Sequence, residues 1–253
     1  MTSRRSGPFV AWASAFIQGR VGPDQVIDAV TGEDARHWVV GLPEADDPAP
    51  LLELLAFWRR LDEPVRAVFP APGDVRGLPG PNGFRAAALD AGEAVCGARV
   101  GVVPEYVDYA PSSAPPTVVW HAFEIDEPPY DQQQLGDVQY ELATAIRDAA
   151  SELTAADVPG WMDSFGPALR DARRAGEKVN LPPGYPMRGV ALVTQAERLQ
   201  AVLDIAALDP VGSAYDRTGI AARRDALRPL EIAVRRALTA GYNAGTFVDG
   251  SAT

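Results

Sequence analysis

Val65-Arg66-Ala67-Val68-Phe69, followed by a glycine- and proline-crowded run from Pro70 to Gly83, then Phe84 to Val95, then an extended run from Ala98, is the stretch whose reading decides the fold. It reads as strand, loop, helix, strand. A helix that opens just beyond a strand aims its free backbone N–H groups into the space above the sheet, which is the usual skeleton of a ligand cleft.

Downstream, Arg99 to Tyr109 and Thr117 to Asp126 are two extended runs separated by Ala-Pro-Ser-Ser-Ala-Pro-Pro, the pattern of an antiparallel pair with a loose connection. In the second run Val119, His121, Phe123 and Ile125 alternate with Val118, Trp120, Ala122 and Glu124, so both faces are largely apolar. Such a strand is central, or covered by helices on both sides. Upstream, His37 to Leu42 reads as a strand and Pro43 to Pro50 as an acidic, proline-rich loop. Leu51, Leu54, Leu55, Trp58 and Leu61 form one face of a helix with Arg59 and Arg60 in its last turn. Phe9 to Gly19 and Asp24 to Val30 have the spacing of an amphipathic helical hairpin that must pack on something larger.

The fold class expected is therefore α/β, or α+β if the helices segregate. The reading gives a small mixed sheet of about four strands (37–42, 64–70, 98–109 and 117–126) layered with helices over residues 1–129. Residues 130–245 are expected to be all helical and packed on that sheet, with 246–253 a loose tail and the chain already small and polar from Asn243. Within the helical part, Leu135 to Leu153 is one long amphipathic helix, and Phe165 to Ala175 a shorter one. Glu177 to Met187 is an irregular crossing, Thr194 to Leu208 a helix, and Ile220 to Ala240 a helix that Pro229 must kink or restart.

Composition limits the functions. The 253 residues carry a net charge of −11, which repels phosphate backbones and anionic lipid, so neither nucleic acid nor membrane is expected as a partner. No run approaches the roughly 20 apolar residues of a membrane span, and the short Phe9 to Ile17 run lacks a cleavage signal, so the expected compartment is the cytoplasm. A single cysteine, Cys96, excludes an internal disulfide and reads as a buried thiol. Arginine almost without lysine, with abundant Ala, Gly and Pro, points to a high-G+C genome of actinobacterial type.

Candidate chemistry is sparse. The loop 70–83 could set the backbone N–H groups of Gly80 to Gly83 against a small anion, with Arg76 or Arg85 supplying charge. It has neither a Gly-Lys-Ser/Thr ending nor Gly-x-Gly-x-x-Gly spacing, and its prolines offer no N–H, which favours a stiff structural loop. His121 is near Glu124 and Asp126 in sequence, but Glu124 alternates to the other face, and flanking Val119 and Phe123 suggest a core histidine. His37 and His121 have no metal-ligand spacing between them, so no metal and no cofactor is implied, and there is no Gly-x-Ser-x-Gly elbow. Arg217, Arg224, Arg228 and Arg235 align on one helical line, either a dock for an acidic partner or, with Glu231 among them, a salt-bridged solvent face. The balance favours a non-catalytic protein-interaction or homo-oligomeric module. The alternative is an anionic-ligand protein or enzyme with its site at Arg76, Gly80, Gly83, Arg85 and His121.

Overall fold

The computed structural model describes residues 4–80, 82–107, 115–126, 129, 133–155, 179–208 and 217–246. Helices α1 (Ser6–Ile17) and α2 (Pro23–Thr31) lead into β1 (Arg36–Val40) and a two-residue β2 (Ala49–Pro50). Then come α3 (Leu51–Leu61), β3 (Arg66–Val68), α4 (Gly83–Ala91), β4 (Ala94–Cys96), β5 (Val100–Val107) and β6 (Thr117–Glu124). Helices α5 (Leu135–Ala155), α6 (Met187–Leu208) and α7 (Arg217–Tyr242) complete the described chain.

The six strands form one sheet in the order β2-β1-β6-β5-β4-β3. β1 and β6 run parallel, and every other neighbouring pair is antiparallel. This corrects the expected count of about four strands. The expectation absorbs β4 into the end of the preceding helix, because three buried residues, Ala94, Val95 and Cys96, carry no periodicity that separates strand from helix. The break is made by Gly92, whose φ of 71° ends α4 in a left-handed cap. β2 is only two residues long and hides in the proline-rich loop before α3, as the edge strand beside β1.

The both-faces-apolar reading of β6 is what organises the layers. On one face Trp120 meets Phe9 of α1 at 4.7 Å between ring centroids, and Phe9 also meets Trp58 of α3 at 5.6 Å. On the other, Phe123 meets Phe84 of α4 at 5.9 Å. A second core cluster of Val68, Leu78, Phe84, Ala88, Ala94, Cys96, Val103 and Ile125 fills the α4 side. Helix α1 departs from its expected amphipathic form. Ser6, Gly7 and all eight residues from Phe9 to Phe16 are buried, so it is a central helix enclosed on nearly every side. Its alanines and serines permit that close approach.

The described chain divides into two compact units. The sheet unit takes residues 2–132, 180–186 and 242–253, and the helical unit takes 133–179 and 187–241. Within the helical unit Arg236 of α7 pairs with Glu141 of α5 at 2.5 Å. α7 runs through Pro229 as one helix, and α6 starts at Met187, seven residues before the expected Thr194. The helix expected at Phe165 to Ala175 lies outside the described residues. Within the sheet unit, Asn243 to Thr246, expected to be loose, are fastened to β3. The Asn243 amide accepts from Ala67 N at 2.8 Å and donates to Ala67 O at 2.9 Å.

Trp58 Nε1 donates to Val100 O at 3.2 Å across the turn between β4 and β5, and a Cβ at Gly97 would overlap the Trp58 indole. Gly97→Ala is therefore expected to destabilise the protein by about 1–3 kcal/mol through overpacking, measured as a shift in the urea midpoint. Gly80→Ala, at an exposed position with open space around it, is the matched control and should leave the midpoint in place.

Candidate functional site

Residues paired across a ladder share a face, so the outer side of the sheet can be written as rows. Arg36, Thr117 and Val107 make one row across β1, β6 and β5, Trp38, Val119 and Glu105 the next, and Val40, His121 and Val103 the third. The reverse side of the same strands, with His37, Val39, Val118 and Trp120, is buried under α1 and α3. On the outer side Trp38, Val40, Val107, Val119 and His121 remain half-buried, while Arg36 and Glu105 are exposed. Helix α4 covers only the Val103 to Phe123 end, through Phe84. The outer face thus has an apolar centre with a cation at one margin and an anion at the other, and the Arg36 guanidinium lies 5.9 Å from the Trp38 ring centroid.

His121 belongs to this face. Its Nε2 lies 2.6 Å from Glu105 Oε2, a diagonal cross-strand pair with side chains 41% and 59% exposed. The carboxylate partner comes from the neighbouring strand, whereas Glu124 and Asp126 are the ones near in sequence, and the histidine is half-exposed where its neighbours suggested a core position. Sequence spacing alone cannot show a pair that depends on the β5–β6 register.

The loop residues are placed elsewhere. Pro72-Gly73 forms a tight turn, with Gly73 at φ 85° and Ala71 and Asp74 exchanging backbone hydrogen bonds at 3.0 and 2.8 Å. Arg76 reaches back to Asp74 with two hydrogen bonds of 2.8 Å each. Leu78 is buried in the α4-side core. Gly80 is exposed, and Gly83 is the first residue of α4. Arg85 gives its backbone N–H to the Asn82 side chain at 2.9 Å, which caps α4. His121 is bonded to Glu105, and Arg76 to Asp74. Along the expected arginine line, Arg224 and Arg228 are exposed and Arg235 is half-buried; the Arg217 side chain lies outside the described residues.

A buried polar network that sequence reasoning missed lies where the start of α1 meets the sheet. Asp34 receives two bonds of 2.6 Å from the Arg5 guanidinium, a bidentate pair, and a bond of 3.0 Å from His37 Nε2. Trp120 Nε1 donates to His37 Nδ1 at 3.2 Å. An indole N–H can only donate, so the imidazole proton sits on Nε2 and points at Asp34. Burial is the largest influence on Asp34 and acts to raise its pKa, but the hydrogen bonds of His37 and Arg5 and the Arg5 charge outweigh it and hold the carboxyl below its ordinary range. Beside it, Glu93 Oε2 accepts from the backbone N–H groups of Arg5 and Ser6 at 2.9 and 2.8 Å, a carboxylate set on the positive end of α1. Tyr106 Oη donates to Glu93 Oε1 at 2.6 Å, and burial followed by the Glu93 charge pushes the phenol well up. Asp34-x-x-His37 was the one sequence signal for this cluster. Burial pushes the Cys96 thiol up to about 12. Among the described residues no group of three or more His, Cys, Asp or Glu side chains could hold a metal ion.

Residues 6–134 match the N-terminal domain, and residues 136–239 the C-terminal domain, of the Rv1486c-like protein family. The chain belongs to the Rv1486c-like family. It is 29% identical to the uncharacterized protein Rv1486c of Mycobacterium tuberculosis, an alignment covering 89% of this chain and 91% of that protein. It is 27% identical to the uncharacterized protein ML1804 of Mycobacterium leprae, covering 92% and 94%. The mycobacterial origin of these relatives agrees with the actinobacterial character of the composition. No solved structure matches the chain. Among the described residues of this Rv1486c-like protein, no helix is long and apolar enough to cross a membrane.

The Asp34 network carries a pH prediction. A carboxyl whose folded pKa is depressed contributes stability above its unfolded pKa, and that contribution is lost as pH falls through the folded value. Asp34→Asn should therefore cost about 3–5 kcal/mol near neutrality, because it removes the buried carboxylate on which the Arg5 and His37 bonds converge. The gap between variant and wild type should narrow below about pH 4, followed by denaturant melts across a pH series.

Proposed function

We propose that this protein is a non-catalytic interaction module that self-associates through the outer face of β1, β6 and β5. The observation that carries the reading is the half-buried strip of Trp38, Val40, Val119 and Val107 on a sheet whose other side holds the buried Val39, Val118 and Trp120. Leaving a tryptophan and three valines part-wet in the middle of a sheet forgoes burial worth about 25 cal/mol per Å² of apolar surface. A covering surface recovers it.

A second copy fits the charge pattern. The face carries its own cation, Arg36 on β1, and its own anion, Glu105 on β5, on either side of β6. A two-fold axis along β6 sets β1 of one copy over β5 of the other, so the Arg36–Glu105 contact forms twice around a Val119 centre. The buried Arg5–Asp34–His37 network supports the same reading, since its charged groups are spent on one another beneath α1.

Sedimentation equilibrium provides the test. Wild type should behave as a concentration-dependent dimer, and Val119→Asp as a monomer with unchanged far-UV circular dichroism. Arg36→Glu should weaken association roughly tenfold, about 1.4 kcal/mol, and adding Glu105→Arg should restore it. A monomeric wild type, or dimerisation indifferent to Val119→Asp, refutes the proposal.

A further inference from the structure

The segment Tyr242-Asn243-Ala244-Gly245-Thr246 enters the sheet unit along β3, and four of its five residues are read there by specific neighbours. Tyr242 is buried, its ring lies where a Cβ on Gly7 would be, and it sits 6.2 Å from the Phe69 ring centroid. Its carbonyl accepts from Tyr185 Oη at 2.6 Å. From the turn that follows α7, the Asn243 side-chain amide answers both backbone groups of Ala67, at 2.8 and 2.9 Å, on this outer edge of the sheet.

The remaining positions are as closely specified. A Cβ on Gly245 would overlap the Tyr185 ring, so that slot takes glycine only. Gln18 Nε2 donates to the carbonyls of Gly245 and Thr246 at 3.0 and 3.1 Å. The Thr246 hydroxyl donates to Val65 O at 3.2 Å, which spends its single proton, so it accepts from Ser14 Oγ at 3.3 Å. An aromatic socket, a side-chain amide reading an open strand edge, a glycine-only slot and a hydroxyl clamp are the parts of a sequence-selective peptide site.

We propose that the channel between β3 and α1 is a recognition groove for a Tyr-Asn-x-Gly-Thr turn, closed by the bond from Thr246 N to Asn243 O at 3.1 Å, filled in cis by residues 242–246 and able to accept the same segment from a second copy. The segment itself carries the contacts that specify it, so the covalent link through α7 contributes effective concentration rather than chemistry. This site is separate from the outer face formed by β1, β6 and β5.

The experiment uses the chain ending at Gly241, the full chain, and a fluorescein-labelled Ala-Gly-Tyr-Asn-Ala-Gly-Thr peptide. Anisotropy should show saturable binding to the shortened chain and none to the full chain, whose groove is occupied. Two variant peptides, one with alanine at the Asn243 position and one with alanine at the Gly245 position, should bind at least tenfold more weakly. A folded shortened chain that ignores the peptide, or binds all three peptides alike, overturns the proposal. Should the shortened chain prove unfolded by circular dichroism, amide exchange in full-length Asn243→Ala decides. Exchange at Ala67 should accelerate at least tenfold and slow again on adding the unlabelled wild-type peptide; exchange that stays unchanged, or that the peptide fails to slow, overturns it.

Discussion

The contact of Phe9 with Trp120 and Trp58 is the one on which the remaining architecture depends. It fixes α1 in the middle of the sheet unit, against β6 on one side and α3 on the other. A helix in that position must be apolar almost all round and must have its exposed N–H groups answered by protein, because water does not reach them. Both demands are met. The helix carries Ala and Ser where other elements approach, and Glu93 accepts the N–H groups of Arg5 and Ser6.

Burying that terminus brings charge into the interior, and the charges are balanced locally. Glu93 is also answered by Tyr106, and Asp34 by Arg5 and His37. Each carboxylate thereby ties different strands to the start of α1. Glu93 precedes β4 and Tyr106 lies on β5, while His37 lies on β1 and Trp120 on β6. The network acts as a register pin across four of the six strands. Buried ion pairs of this kind are costly to break from one side and contribute specificity of arrangement more than net stability.

The same sheet manages its two margins differently. At one end β2 is cut to two residues, the second of them Pro50, so little edge remains. At the other, β3 is answered by Asn243, from a segment distant in sequence. The sheet unit therefore draws on three separate stretches of chain, and the family's N-terminal domain, matched over 6–134, omits the residues that close its β3 edge.

The amino-acid sequence by itself determined the layered α/β class, the central place of β6 and the helices α5, α6 and α7 among the described residues beyond it. It did so because alternation and 3.6-residue periodicity are written within a few residues of each other and report which sides are buried. Trp120 and Phe123 on opposite sides of one strand were enough for the layers, and Leu51 to Leu61 for α3. What tertiary structure alone decided was who pairs with whom. β4 read as the end of the preceding helix, and only its pairing with β3 and β5 made it a strand. Glu105 became the partner of His121 through ladder register, Asp34 met Arg5 across 29 positions, and Asn243 met Ala67 across 176. Such pairings hinge on long-range closure of the chain, and no local pattern of side chains encodes the distance at which the backbone will return.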